Sequence, residues 1–123
     1  MPSKFGTRIL VLDNDVSRLK KFYQKFIGNY VVLVKTAKEA ISQLQNGLIW
    51  DFVFLDHDLT DVVYEPSGPG TGYEVAQWIH DNPDKAPEYI MIHSFNEKGS
   101  QKMRELLPQA KWVPGAWDLP IEL

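Results

Sequence analysis

The fold is decided by the stretch Trp50-Asp51-Phe52-Val53-Phe54-Leu55-Asp56-His57-Asp58-Leu59. Residues 50–55 are almost all apolar and β-favouring, which is typical of a strand buried on both faces of a parallel sheet. The run ends abruptly in three titratable side chains, Asp56, His57 and Asp58. Because open α/β sheets bind ligands just outside the carboxyl ends of their strands, we predict that this triplet belongs to a functional site.

The segments on either side alternate between strand and helix patterns. Further strands are predicted at residues 8–12, 30–34, 88–92 and, more weakly, 111–113, with helical spacing of apolar residues after each of the first four strands. Thr36 with Glu39 and Thr71 with Glu74 form capping boxes at two helix starts. This order predicts an α/β fold for residues 1–123 as a single domain, with three layers and a five-stranded parallel sheet. Residues 116–123 are too few for a full fifth helix, which is therefore missing or reduced.

Composition restricts the classes of function. The 123 residues are 44% hydrophobic and 24% charged, as in an ordinary globular domain. The net charge of −3 argues against broad non-specific nucleic-acid binding. The absence of cysteine excludes disulfides, zinc–thiolate sites and thiol nucleophiles. No apolar run approaches the roughly 20 residues of a membrane span, so we expect a cytoplasmic protein without membrane contact.

Three strands bring polar side chains to one edge of the predicted sheet. The first strand is followed by Asp13, Asn14 and Asp15, the third by Asp56, His57 and Asp58, and the fourth by His93, Ser94 and Asn96. Carboxylates that converge from two strand ends suit a hard cation such as Mg²⁺, or Mn²⁺, that also binds phosphate. The candidate ligands are Asp13, Asp56, Asp15 and Asp58, the last through its main-chain carbonyl. Asp15 alternatively caps the first helix.

The other polar side chains have candidate roles of their own. His57 and His93 are candidates for general acid, general base or phosphate ligand, or are simply hydrogen-bonded polar residues. Ser94 and Asn96 either bind phosphate or cap the fourth helix. Arg18, one turn beyond Asp15, either reaches an anion over the site or is a surface charge.

This arrangement resembles the receiver domain of two-component response regulators, which has a flavodoxin-type fold. Asp13 and Asp56 match the acidic cluster and the phosphoacceptor of that family. The chain departs from the family at the end of strand four, where His93 replaces a threonine or serine. It departs again after strand five, where Val113 stands in place of a lysine before Pro114.

A narrower family is a better match. Leu12-Asp13-Asn14-Asp15 with Arg18, Phe54-Leu55-Asp56-His57-Asp58-Leu59 and Ile92-His93-Ser94-Phe95-Asn96 are similar to the receiver-like cyclic-phosphate-processing domains of bacteria and phages. The resemblance implies action on cyclic phosphate ends, in a role such as RNA repair. Asn14 stands where an acid is common in that family.

The motifs together predict metal-dependent hydrolysis of cyclic phosphate ends on nucleotides or RNA. Asp13 and Asp56 would hold the metal, and His57 and His93 would share base and acid duties. The partner would be a small phosphorylated substrate or an RNA end, positioned by Arg18, Ser94 and Asn96. Two alternatives remain: a signalling domain phosphorylated on Asp56, and a catalytically silent binding module.

The flank that lacks a full fifth helix carries a further expectation. Several apolar residues lie near it in the sequence: Trp112, Trp117, Leu119 and Ile121. They either fold back over the uncovered sheet or form a homodimer contact.

Overall fold

A five-stranded parallel sheet forms the centre of the protein. The computed structural model describes residues 6–60, 62 and 64–120. The strands are β1 (Arg8–Leu12), β2 (Tyr30–Val34), β3 (Phe52–Leu55), β4 (Tyr89–Ile92) and β5 (Lys111–Trp112). They lie in the order β2-β1-β3-β4-β5, and every neighbouring pair is parallel. The three-layer α/β fold and the five parallel strands predicted from the sequence are confirmed.

Four helices cover the two faces of the sheet, as their apolar spacing predicted. They are α1 (Val16–Lys25), α2 (Ala37–Gln45), α3 (Gly72–Asp81) and α4 (Glu97–Leu106). Helix α1 packs Phe22 and Phe26 against Phe54 on one face. Helices α2, α3 and α4 share the larger core on the other face. No helix in the described part of the chain is long and apolar enough to cross a membrane.

The two predicted capping boxes form differently. Thr36 Oγ1 caps α2 by accepting from the Glu39 amide, and the Glu39 carboxylate reaches back to accept from the Thr36 hydroxyl. Thr71 Oγ1 accepts from the Tyr73 amide, but the Glu74 carboxylate accepts from the amide of Gly70 rather than that of Thr71. The Thr71 amide already donates to the Gly68 carbonyl in the preceding turn, so it has no hydrogen left for Glu74.

The flank without a fifth helix is covered by the chain after β5. Gly115, at a φ of 75°, turns the backbone into a short 3₁₀ segment, Ala116–Asp118. Ala116 is buried, and the Trp117 ring lies edge-on to Phe22 of α1 at 6.3 Å between centroids. Folding back is therefore the arrangement within one chain. The homodimer stays a prediction, and Ile121 lies outside the described residues.

Candidate functional site

The polar groups after β1, β3 and β4 meet at the carboxyl edge of the sheet, with Asp13 at the centre. Asp13 is fully buried. Its Oδ1 accepts from the Asp15 amide and from Arg18 Nη2, while its Oδ2 accepts from Arg18 Nε and lies 2.9 Å from His93 Nε2. Burial raises the pKa of Asp13, but hydrogen bonds from His93 and Arg18 outweigh it, so the pKa lies below 3.8. Asp13 is a carboxylate held ionised by its partners.

Arg18 connects the two central acids. Its guanidinium donates to the Asp13 carboxylate through two nitrogens, and Nη2 also lies 3.3 Å from Asp56 Oδ2. Burial lowers the pKa of Arg18, yet the hydrogen bond to Asp13 and the charges of the nearby acids raise that pKa overall above its ordinary value. The guanidinium lies 4.9 Å from the centre of the Trp117 ring, a cation–π contact. Its Nη1 has no hydrogen-bond partner among the described residues, which leaves two N–H groups available to an anion.

Asp56 follows β3 and is 5% exposed. Its Oδ1 accepts from the His57 amide. Burial raises the pKa of Asp56 to about 6, with the charge of Asp13 adding to this effect and the attraction of His93 and Arg18 opposing it. One guanidinium does not balance two buried carboxylates, so Asp56 is the site's uncompensated acid.

Glycine at position 72 lets the third helix begin directly against this strand end. A Cβ on Gly72 would lie 1.8 Å from the Asp56 carbonyl oxygen, and the Gly72 amide donates to the His57 carbonyl. Only a glycine allows this close approach of two backbones. The start of α3 thus fixes the position of the Asp56 backbone.

Both histidines lie behind the site rather than in its opening. His57 is fully buried, with Nδ1 2.6 Å from Asp58 Oδ1 and Nε2 2.8 Å from Ser67 Oγ. Its ring lies against Gly99, where a Cβ would come within 2.5 Å of an imidazole carbon. These contacts fit an imidazole that donates to Asp58 and accepts from Ser67, tying the long loop after β3 to α4.

His93 is also fully buried. Its ring makes edge-on contacts with Phe22 and Trp117, and its Nδ1 has no hydrogen-bond partner in the described part of the chain. Nε2 is therefore the ring nitrogen that donates to Asp13. The predicted acid and base roles of His57 and His93 stay predictions, and their positions favour action through Asp58 and Asp13.

Two predicted capping alternatives are confirmed. Asp15 caps α1 by accepting from the Arg18 amide. Asn96 caps α4 through Oδ1, while its Nδ2 donates to Asp58 Oδ1 and to the Glu65 carbonyl. Ser94 Oγ accepts from the Asn96 amide. The predicted roles of these residues in metal or phosphate binding stay predictions.

A cleft of about 380 Å³ opens over the acids. The predicted site residues in its lining are Arg18, Asp56, Asp58, Ser94 and Asn96, together with Asn14. Asp13, Asp15, His57 and His93 are not in its lining. Sequence reasoning missed the other lining residues, which are Thr60, Val62, Tyr64 and Phe95. The signal available in the sequence was the presence of apolar residues, Val62, Tyr64 and Phe95, in otherwise polar loops.

The donor set of the site suits a divalent cation. Ligand atoms of Asp13, Asp56 and His93 lie within 4.8 Å of one another. Both oxygens of Asp13 already take two hydrogen bonds each, so a cation there would have to displace Arg18. A divalent charge in that place would balance both carboxylates, including the acid that Arg18 leaves uncompensated. The residues therefore fit the metal, provided that Arg18 moves.

Solved structures with the same fold are response-regulator receivers. The phosphorylated cyanobacterial phytochrome response regulator RcpA has a TM-score of 0.69 and 18% identity, over 87% of this chain and 79% of that one. The Mn²⁺-bound form of response regulator Rcp1 has a TM-score of 0.67 and 18% identity, over 87% and 80%. A CheY-like receiver domain from Methanospirillum hungatei JF-1 has a TM-score of 0.66 and 19% identity, over 94% and 83%. At these identities the likeness shows the receiver fold.

Sequence comparison gives the family. No curated protein matches the chain significantly. A family model described as the cyclic-phosphate processing receiver domain matches residues 8–109, which include β1 to β4, α1 to α4 and every residue of the site. The chain therefore belongs to the family of cyclic-phosphate-processing receiver domains.

Proposed function

We propose that this protein hydrolyses cyclic phosphate diesters at the ends of nucleotides or RNA, in a reaction that depends on Mg²⁺ or Mn²⁺. The observation that carries the proposal is the cleft in which Arg18 and Asp56 lie 3.3 Å apart, with Ser94 also in its lining. This hydrolysis needs a positive charge that stabilises the phosphate and a carboxylate that transfers the proton. The family match supports the class of substrate.

Arg18 is suited to bind the phosphoryl group. Its side chain is 29% exposed at the cleft, and Nη1 is free of partners among the described residues. In the metal-free protein the Asp13 carboxylate holds the guanidinium with two hydrogen bonds, and a divalent ion on Asp13 would release Arg18 from it to bind the phosphate. The Ser94 hydroxyl accepts from the Asn96 amide and keeps its own proton to donate to a phosphate oxygen.

Asp56 is placed to move the proton. A water oxygen attacks phosphorus, the bond from phosphorus to one sugar oxygen breaks, and the product is a monoester beside a free hydroxyl. Asp56 Oδ2 takes the proton that water loses, and the departing sugar oxygen receives that proton, which regenerates the carboxylate. A divalent ion held by Asp13 and Asp56 would supply further neutralisation of charge on the phosphate oxygens.

The remaining site residues have positioning roles in this proposal. His93 holds the Asp13 carboxylate, which orients Arg18 in the metal-free protein and would share a bound cation with Asp56. His57 and Asn96 both bond to Asp58 Oδ1, which fixes the wall of the cleft next to Asp56.

The proposal is tested by phosphorus NMR of adenosine 2′,3′-cyclic phosphate incubated with protein and magnesium or manganese. We expect conversion to a monoester that stops when the metal is chelated. Asp56→Asn should abolish turnover, whereas Asp84→Asn, the same change at an exposed aspartate, should retain it. An unchanged spectrum for cyclic mononucleotide and cyclic-ended dinucleotide alike, with either metal, would refute the hydrolase.

A second arm decides between the alternatives. In the signalling alternative, a small phosphodonor labels the wild-type protein but not Asp56→Asn. Under the hydrolase proposal we expect no stable label, because the hydroxyl and lysine that receivers place near their phosphoaspartate are replaced by His93 and Val113. Binding of the cyclic substrate without turnover or labelling would identify the silent binding module.

A further inference from the structure

A second and larger cleft adjoins the first. It has a volume of about 680 Å³ and shares Tyr64, Phe95 and Asn96 with the cleft that contains Asp56. It continues along the first two turns of α4, where Lys98 and Lys102 line it. Each cleft falls in the range of about 300–1,000 Å³ typical of small-ligand pockets. The two clefts together form one groove that leads away from the proposed phosphate position.

The wall between the two clefts exposes two aromatic rings. Tyr64 is 67% exposed and Phe95 is 60% exposed, so both rings are open to a ligand in the groove. Phe95 is nevertheless held in place, because the Trp117 ring meets it edge-on at 5.7 Å and Gly115 lies beneath its tip. An exposed but immobilised ring has the properties of a stacking platform for a nucleobase.

Tyr64 has a strained backbone conformation at this position. Its φ of 57° lies in the left-handed region, which non-glycine residues rarely adopt. The Tyr64 amide donates to Asp58 Oδ2 at 2.8 Å, so the same carboxylate that lines the cleft fixes this conformation. Backbone strain of this kind concentrates at functional sites.

The far end of the groove is locally basic in a protein of net charge −3. Lys98 and Lys102 are exposed and have no hydrogen-bond partner among the described residues. Glu65 also lines this cleft, but its carboxylate accepts from the Leu59 amide and the Thr60 hydroxyl and so faces the loop. Glu97 is the one carboxylate of this lining without such a bond among the described residues, against two lysines.

We infer that the second cleft binds the nucleotide that precedes the cyclic phosphate end, so that the preferred substrate is an RNA 3′ end rather than a free cyclic mononucleotide. The base of that nucleotide would stack on Phe95 or Tyr64, and Lys98 and Lys102 would attract the phosphodiester that joins it to the terminal nucleotide. This inference rests on the proposed function for the cyclic end, but its binding site is separate from the reacting groups.

Turnover tests the inference when two substrates with the same cyclic end are compared. These are adenosine 2′,3′-cyclic phosphate and the dinucleotide uridylyl-adenosine with that terminal cyclic phosphate. We expect kcat/KM to be about tenfold or more higher for the dinucleotide, from one additional stacked base and one phosphodiester. The double variant Lys98→Gln/Lys102→Gln should remove most of this advantage and leave the mononucleotide within about twofold. Lys38→Gln, at an exposed lysine of α2, is the matched control.

A binding measurement separates this inference from the proposed chemistry. Calorimetry with the same two compounds ending in an ordinary 3′-phosphate needs no turnover. We expect tighter binding of the dinucleotide, with a salt dependence that becomes shallower by about 0.7 in log–log slope when the two lysines are replaced. Phe95→Trp should keep the preference for the dinucleotide and Phe95→Ala should lose it.

The outcomes are distinguishable. Equal kcat/KM for the two cyclic substrates, with no effect of the lysine substitutions, would overturn the inference and leave the hydrolase intact. Absence of turnover together with lysine-dependent dinucleotide binding would overturn the hydrolase and leave the nucleotide site intact. Equal binding of the two 3′-phosphates, unaffected by replacement of Phe95, would refute the site directly.

Discussion

Replacing Asp56 by asparagine should stabilise the protein in the absence of metal. Asp56 is 5% exposed, and its charge lies near the charge of Asp13. Its pKa rises from 3.8 in an unfolded chain to about 6 in the folded protein. Because the folded state holds this proton more tightly, stability falls as the pH rises from about 4 to about 6 and stays low above that.

The magnitude follows from the same two pKa values. At about 1.4 kcal/mol for each pKa unit, the ionised carboxylate costs about 3 kcal/mol of stability above pH 6. The asparagine keeps an oxygen for the His57 amide, and the attraction of Arg18 is already included in the pKa of about 6. The net expectation is a gain of about 3 kcal/mol at pH 8, or roughly 10 °C in melting temperature for a chain of this length.

The assay is urea unfolding of the wild type and Asp56→Asn at pH 4.5 and pH 8, with a chelator present. We expect the difference in unfolding free energy to be large at pH 8 and to shrink at pH 4.5, where the folded wild type has taken up the proton. Asp84→Asn should change neither value, because Asp84 is exposed. Equal stability of the wild type and Asp56→Asn at pH 8, or a gain that is larger at pH 4.5, would refute the reasoning about an uncompensated buried acid.

Three further predictions concern the groups around this acid. Arg18→Gln should lower the free energy of unfolding by about 3 to 5 kcal/mol at pH 7, because buried Asp13 loses its bidentate partner. Urea unfolding measures this difference, and the exposed control Lys20→Gln should stay within about 0.5 kcal/mol of the wild type. Gly99→Ala should cost about 1 to 3 kcal/mol in the same assay, because the methyl group would overlap the His57 ring, whereas Gly68→Ala meets no atom within 4 Å and should be near neutral. Saturating magnesium at pH 8 should raise the melting temperature of the wild type but not that of Asp13→Asn, because the ion would relieve the repulsion between Asp13 and Asp56. Calorimetry measures both melting temperatures, and equal shifts in the two proteins would place the ion elsewhere.

Much of the fold was predictable from local patterns. The apolar run before Asp56, the helical spacing after each of the first four strands and the cap at Thr36 each follow from a few neighbouring residues, and the structure has the corresponding elements. The hydrogen bond of Glu74 could not be predicted from local sequence. Whether its carboxylate reaches Thr71 or Gly70 depends on a turn bond from Thr71 to Gly68 that no spacing rule contains.

The edge at which the polar groups gather was predictable, but the set of residues that lines the cleft was not. Asp13, Asp56, Ser94 and Asn96 lie at strand ends, and a parallel sheet necessarily brings those ends to one edge. Whether a side chain lines the cleft or lies behind it depends on packing between distant segments. Gly99 covers the ring of His57, and Trp117 closes over His93 from a segment 24 residues further along the chain.

By itself, then, the sequence determined the strand and helix order, the edge at which the polar groups gather and the family motifs, because these depend on short-range periodicity and on the direction of parallel strands. Only the tertiary structure decided that Arg18 bridges the two central acids, that both histidines are buried, and that Tyr64 and Phe95 form an exposed aromatic wall. The physical reason is that desolvation and charge pairing act between residues far apart in the chain, here Asp13, Asp56 and His93, and a linear pattern contains neither the distance nor the burial that sets them.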